Sequence, residues 1–184
     1  ASYLSHGYVP DTQCIFQNVR KVPPGHVTSL SLVDATDKTQ PFETFSDLLD
    51  GGLASRSPNK SETLDHLETT LGQVVEEQML SDVPLGCFLS GGVDSSLIAS
   101  LMQSRSGQPI RTFAIGFSEA RFNEAPHAAA VARHLGTDHT EFILAEQDAL
   151  GVIPDLPEIY DEPFADSSQI PTVLLCREAR KSVT

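Results

Sequence analysis

Tryptophan is absent from this 184-residue chain, methionine occurs twice, cysteine three times, and Lys and Arg together number 12 against 25 Asp and Glu. Each shortage excludes something. With a formal net charge of −13, the chain lacks the cationic surface that neutralises phosphate backbones, so nucleic acid is excluded as a partner. Cys14, Cys87 and Cys176 form an odd set with no metal-ligand spacing, which excludes a zinc module and a disulfide scaffold. Buried, reduced thiols in a cytoplasmic protein are the expectation. No apolar run approaches the ~20 residues that a membrane helix needs, and no secretory signal is visible at the start. Disorder is excluded by the 40% of hydrophobic residues, and no internal repeat breaks the chain into units. What remains is one globular domain of ordinary size.

The stretch that organises the chain is Leu89-Ser90-Gly91-Gly92-Val93-Asp94-Ser95-Ser96. A short apolar strand, Leu85 to Leu89, precedes it, and a helix from Asp94 to Gln103 follows. Strand, glycine-rich turn and helix together make a phosphate cradle. Glycines let the backbone turn and let an anion approach the amides, and the helix start adds unpaired N–H groups. Ser90, Ser95 and Ser96 offer hydroxyls. Asp94 would repel phosphates unless it caps the helix or holds a Mg2+ shared with them. The bland alternative is a Ser/Gly turn with a helix cap. The pattern is neither Gly-Lys-Ser/Thr nor Gly-x-Gly-x-x-Gly.

Around this loop the pattern alternates. Leu64, Leu67, Leu71, Val74, Val75 and Met79 follow a helical stripe after the cap Asn59, with Glu62 three residues beyond it; this helix is expected at the edge of the sheet. Arg111 to Phe117 is a nearly continuous apolar strand, Asn123 to Leu135 a helix stopped by Gly136, and Thr140 to Leu144 a third strand. A helix from Pro171 to Lys181 leads to a new strand at Val183-Thr184. The fold class is therefore α/β, a doubly wound parallel sheet with helices on both faces, incomplete at the C-terminus. Ligands bind such sheets at the C-terminal ends of the strands. Residues 31–58 read as a linker with one short strand, Ser29 to Val33.

Other residues invite two readings. Cys87 is a nucleophile or a small strand residue, and the strand residue is preferred. His26 reads as a turn histidine. His134 and His139 are a metal pair or unrelated members of a helix end and a turn, and the second is preferred. Asp161, Glu162 and Asp166 bind metal or an amine, or form an acidic loop ahead of a helix capped by Ser167 or Ser168; the loop is preferred for binding purposes.

Ser-Gly-Gly-Val-Asp-Ser-Ser resembles the pyrophosphate loop of the N-type ATP pyrophosphatases, whose domain is adenine nucleotide alpha hydrolase-like. Within that group the chain is similar to the glutamine-dependent asparagine synthase family. Gly7-Tyr8-Val9-Pro10, Ile15-Phe16 and Lys21-Val22-Pro23-Pro24-Gly25-His26 resemble the exit of that family's glutaminase domain. Phe113 to Phe117, Phe122-Asn123-Glu124 and Leu135-Gly136-Thr137 with His139 and Glu141 also fit. The resemblance implies three parts: a glutaminase remnant at 1–30, a linker at 31–58, and the front of a synthetase domain at 59–184. The chain then reads as a piece of a longer protein, inactive in isolation and lacking the glutaminase nucleophile and a later acceptor-site loop.

The resemblance further implies ATP and Mg2+ as cofactors and adenylation of a carboxylate, most simply aspartate, followed by attack of ammonia from glutamine. Leu89 and Ile115 would line the adenine through their backbones. Gly91, Gly92 and Val93 would give N–H groups to pyrophosphate, Ser90, Ser95 and Ser96 side-chain contacts, and Asp94 a ligand to Mg2+. No residue is assigned as a catalytic acid or base. A homodimer is the expected state of the full-length protein. The alternatives are a synthase-like amidotransferase with another acceptor, and a nucleotide-holding module without turnover.

Overall fold

The computed structural model describes residues 2–11, 13–54, 59–119 and 123–183. They divide into two compact units, one within 1–60 and 157–166, the other within 61–156 and 167–184. The expected motif residue Phe122, the stretch 55–58 of the linker, and Thr184 lie outside the described residues.

The first unit carries α1 (Ser2–His6), β1 (His26–Leu30), β2 (Asp37–Pro41) and α2 (Phe45–Ala54). β1 and β2 pair antiparallel with Leu30 opposite Asp37 and His26 opposite Pro41. Asp34 shapes the turn between them by accepting from Thr36 Oγ1 at 2.9 Å, a local side-chain bond that Asp favours. The expected single strand from Ser29 to Val33 is thus replaced by a hairpin. β2 is Asp-Lys-Thr-Gln-Pro, exposed at every position, and no hydrophobic alternation marks it in the sequence. Residues 157–166 are fastened to this unit by Glu162. Its carboxylate accepts from Ile15 N–H at 2.8 Å and pairs with Lys21 Nζ at 2.5 Å, while Lys21 also donates to the Val9 carbonyl. The Lys21 bond, followed by that from Ile15, holds the Glu162 carboxyl below its usual pKa of 4.5.

The second unit is built on a parallel sheet of β3 (Gly86–Phe88), β4 (Arg111–Phe117) and β5 (Asp138–Leu144), in that order. α4 (Val93–Arg105) links β3 to β4, and α5 (Ala125–Leu135) links β4 to β5. Both connections step in the same direction, so right-handed crossovers place both helices on one face. The core there joins Cys87, Leu89 and Ala114 to Ala99 of α4 and to Ala128 and Ala132 of α5. Three alanines on the helices allow close approach to the sheet. The other face carries Phe113, stacked on Phe142 with ring centroids 6.1 Å apart, and is met by α8 (Gln169–Ala179). α6 (Glu146–Val152) packs against α8, and Arg177 of α8 pairs with Asp155 at 2.8 Å.

α3 (Lys60–Gln78) departs from expectation in its packing. Val75 is buried, but Leu64, Leu67 and Val74 are 53%, 50% and 48% exposed. Near its middle the helix lies against α4, where the Arg105 guanidinium sits over Gly72. A helical stripe states that a face is apolar and leaves its partner unnamed. No helix among the described residues is long and apolar enough to cross a membrane.

Candidate functional site

The glycine-rich loop leaves the end of β3, as expected, and its form is set by its own serines. Ser90 N–H donates to Ser95 Oγ at 3.2 Å, the two hydroxyls lie 2.9 Å apart, and Gly92 N–H donates to Ser90 Oγ. Ser95 in turn donates to the Gly92 carbonyl. Ser90 and Ser95 therefore spend their hydroxyls on loop shape. Gly91 is at φ +82, and a Cβ there would come within 2.7 Å of backbone atoms of His127 and Ala128. The loop is pressed against the start of α5 at a point only glycine tolerates.

The donors left for an anion are backbone groups. Gly92 is the N-cap of α4, and the first closing bond runs from Ser96 N–H to the Gly92 carbonyl. The N–H groups of Gly91, Val93, Asp94 and Ser95 make no hydrogen bond among the described residues. They gather at a helix N-terminus, where the partial positive charge favours an anion. The Asp94 and Ser95 amides come in addition to those expected from sequence, while that of Gly92 is engaged within the loop. Ser96 Oγ is buried without a partner among the described residues.

A cavity of about 370 Å³ opens from this loop, within the usual range for small-ligand sites. Phe88, Phe113, Ile115, Phe117, Pro171 and Leu175 give it an apolar wall, and Ser90, Ser95 and Glu124 are polar members of its lining. It lies on the α8 side of the sheet, at the C-terminal ends of the strands. Ile115 is among its lining residues. Phe113 turns its carbonyl toward β3, accepting from Leu89 N–H at 2.8 Å. Strand alternation directs the N–H and C=O of Ile115 to the same side, and β3 has already ended at Phe88. The N–H and C=O of Ile115 are therefore left without a β3 partner on that side. Leu89 is 1% exposed with its N–H engaged, so only its carbonyl remains for a ligand.

Asp94 stands exposed in the first turn of α4 with no hydrogen-bond or ion-pair partner among the described residues. No group of three or more His, Cys, Asp or Glu that could hold a metal occurs among those residues. One free carboxylate beside a phosphate cradle does fit Mg2+, which is commonly held by one or two carboxylates plus substrate phosphates and water.

Several candidates fall outside the site. His139 lies with Thr112, whose Oγ1 is 2.9 Å from His139 Nδ1 and 2.8 Å from Thr137 Oγ1. Burial pushes the His139 imidazole pKa down, partly offset by Glu141 and Thr112. His134 is exposed near the end of α5. Cys87 is buried, and burial raises its thiol pKa, the opposite of an activated nucleophile. Glu162 is engaged with Lys21 and Ile15, whereas Ser168, at the N-cap position of α8, lines the cavity. Glu124, Phe117 and Leu175 were not legible as lining residues, since no local signal relates them to the loop.

Comparison with known proteins bears on the whole chain. The family model for asparagine synthase matches residues 66–184. The chain is 28% identical over 182 residues to the glutamine-hydrolyzing asparagine synthetase 1 of Bacillus subtilis (strain 168), covering 99% of this chain and 28% of that protein. It is 31% identical over 185 residues to the putative glutamine-hydrolyzing asparagine synthetase 2 of Methanocaldococcus jannaschii, covering 99% of this chain and 34% of that protein. A putative glutamine-hydrolyzing asparagine synthetase of Mycobacterium tuberculosis (strain H37Rv) is 30% identical over 178 residues, 96% of this chain and 26% of that protein. The chain thus spans about a third or less of the length of these relatives. By its loop, its parallel sheet and a family match that takes in both, the chain belongs to the asparagine synthase family.

Proposed function

We propose that this chain is the ATP-binding front of an enzyme that makes an amide by adenylating a carboxylate, with aspartate as acceptor and ammonia from glutamine. The observation that carries the reading is a cavity lined both by Ile115 and by Ser90 and Ser95 of the loop whose amides are unbonded. In this reading residues 1–30 end a glutaminase domain, residues 31–58 link it, and residues 59–184 begin the synthetase domain. A cytoplasmic location is proposed from the free thiols of Cys14, Cys87 and Cys176, and a homodimer for the full-length protein.

The base lies against the aromatic wall and pairs with the backbone of Ile115 and the carbonyl of Leu89. The amides of Gly91, Val93, Asp94 and Ser95 hold the phosphates, with Gly92 keeping the turn open to them and Ser90, Ser95 and Ser96 supporting its shape. A carboxylate oxygen of the acceptor attacks the α-phosphorus of ATP, and pyrophosphate leaves. Ammonia then attacks the acyl carbon, and AMP leaves with the bonding electrons. Negative charge grows on the departing pyrophosphate, and donors already fixed in place stabilise it without reorganising. Mg2+ held by Asp94 would neutralise part of that charge. The described lining contains no Lys, Arg or His, so the fixed amides and this ion carry that task in this part of the site.

Exchange of labelled pyrophosphate into ATP by the whole protein, with Mg2+ and a panel of carboxylates, tests the proposal. Aspartate-dependent exchange is expected, and Asp94→Asn should lower it by at least tenfold. Exchange that depends on another acid would transfer the reading to a different acceptor. ATP binding without exchange under any acid would leave a nucleotide-holding module in its place.

A further inference from the structure

Glu124 is the one charged residue among the described residues lining the cavity. It precedes α5 at the N-cap position, yet its side chain makes no capping bond. Its carboxylate has no hydrogen-bond or ion-pair partner among the described residues. A nucleotide that covers this exposed carboxylate must replace its water with a donor, and the phosphates supply none.

Its place between two close approaches indicates which part of a nucleotide it meets. Gly116 follows Ile115, and a Cβ on Gly116 would lie 3.0 Å from both Ala125 Cβ and Asn123 Oδ1. On the other side a Cβ on Gly91 would lie 2.7 Å from His127 and Ala128. Residues 123–128 are therefore seated between the backbone that faces the base and the loop that faces the phosphates. In a nucleotide the sugar occupies that interval, and it offers two adjacent hydroxyl donors.

We propose that Glu124 holds the ribose hydroxyls of the bound nucleotide and makes the site selective for ribonucleotides. This rests on the nucleotide reading above. A carboxylate accepting from both hydroxyls gains two charge-assisted bonds. Removing one hydroxyl leaves an oxygen facing the cavity without its donor. For a site open to solvent the difference is roughly tenfold in affinity.

The test is equilibrium binding of ATP, 2′-deoxy-ATP and 3′-deoxy-ATP, each with Mg2+, to the whole protein and to its Glu124→Ala and Glu124→Gln variants. The parent should bind each deoxynucleotide roughly tenfold more weakly than ATP. Glu124→Ala should bind all three alike, within about twofold, and Glu124→Gln, close in shape, should fall between. If Glu124→Ala fails to fold, Glu124→Gln alone carries the comparison. A parent that binds ATP without discriminating overturns the proposal, as does a variant that keeps the parent's ratios. Unchanged ratios with a raised Mg2+ requirement would make Glu124 a metal ligand and equally overturn it. A parent that binds no nucleotide overturns the nucleotide reading and the proposal together, so the two failures are told apart.

Discussion

Gly91→Ala separates the structural from the chemical demands on the loop. At φ +82 an L-residue pays about 1–2 kcal/mol for the left-handed backbone. The new methyl would also lie 2.7 Å from the amide nitrogen of Ala128 and from the carbonyl carbon of His127. Those are backbone atoms of α5, so relief requires the helix to move, at a further cost of about 1–3 kcal/mol. The sum, about 2–5 kcal/mol, is a large share of the ~5–15 kcal/mol that holds a domain folded. Gly92→Ala is the control. Gly92 has φ −70, and its added Cβ would meet only Ser90 Oγ at 3.3 Å. It should cost about 1 kcal/mol or less, mostly by weakening the N-cap. Urea unfolding of the whole protein measures both. Gly91→Ala within about 0.5 kcal/mol of the parent would refute the argument from φ and close approach. Nucleotide binding then distinguishes the glycines again, because the methyl of Gly92→Ala should weaken ATP binding without unfolding the protein.

Other outcomes follow from the titrating groups. The His139 pKa is lowered from 6.5, chiefly by burial, so below pH 6.5 the unfolded chain takes up a proton that the folded chain refuses. Stability therefore falls as pH drops from 6.5 toward the lower folded value. His139→Asn should flatten that part of a plot of Tm against pH, and an unchanged slope would exclude His139 as its source. Glu162 shows linkage of the same sign in a lower window: with its pKa below 4.5, its stabilisation is present above pH 4.5 and disappears as pH falls through the lowered value. Glu162→Gln should speed amide hydrogen exchange in residues 13–22 and 157–166 at neutral pH while leaving β4 unaffected. Equal exchange in parent and variant would show that the Lys21 pair does not hold that segment.

How far the fold was legible depended on how local its causes are. β4 runs from Arg111 to Phe117 as expected, because a strand covered on both faces carries a continuous apolar signal. β5 begins at Asp138, ahead of the expected Thr140. Pairing with β4 sets Arg111 opposite Asp138, and polar residues are drawn into the ladder by their neighbour. β3 is shorter than Leu85 to Leu89 for a related reason, since its pairing with β4 ends at Phe88. The loop between β3 and α4 was legible in its place, because its glycines and serines act on one another within a few positions, although α4 begins at Val93 with Gly92 as its N-cap, one residue ahead of the expected Asp94.

The sequence alone determined the elements around the glycine loop and the family to which they belong. Strand, glycine turn and helix are local consequences of apolar period, backbone freedom and capping. Only the tertiary structure decided what those elements face. It exposed the leucines of α3, assigned Glu162 to Lys21 rather than to a ligand, and made Phe113 and Phe117 the wall of a cavity with Leu175. It also placed Glu124 in the lining of the cavity that Ser90 borders. Those relations join residues tens of positions apart, and they arise from crossover handedness and side-chain volume, which no short stretch of the chain encodes.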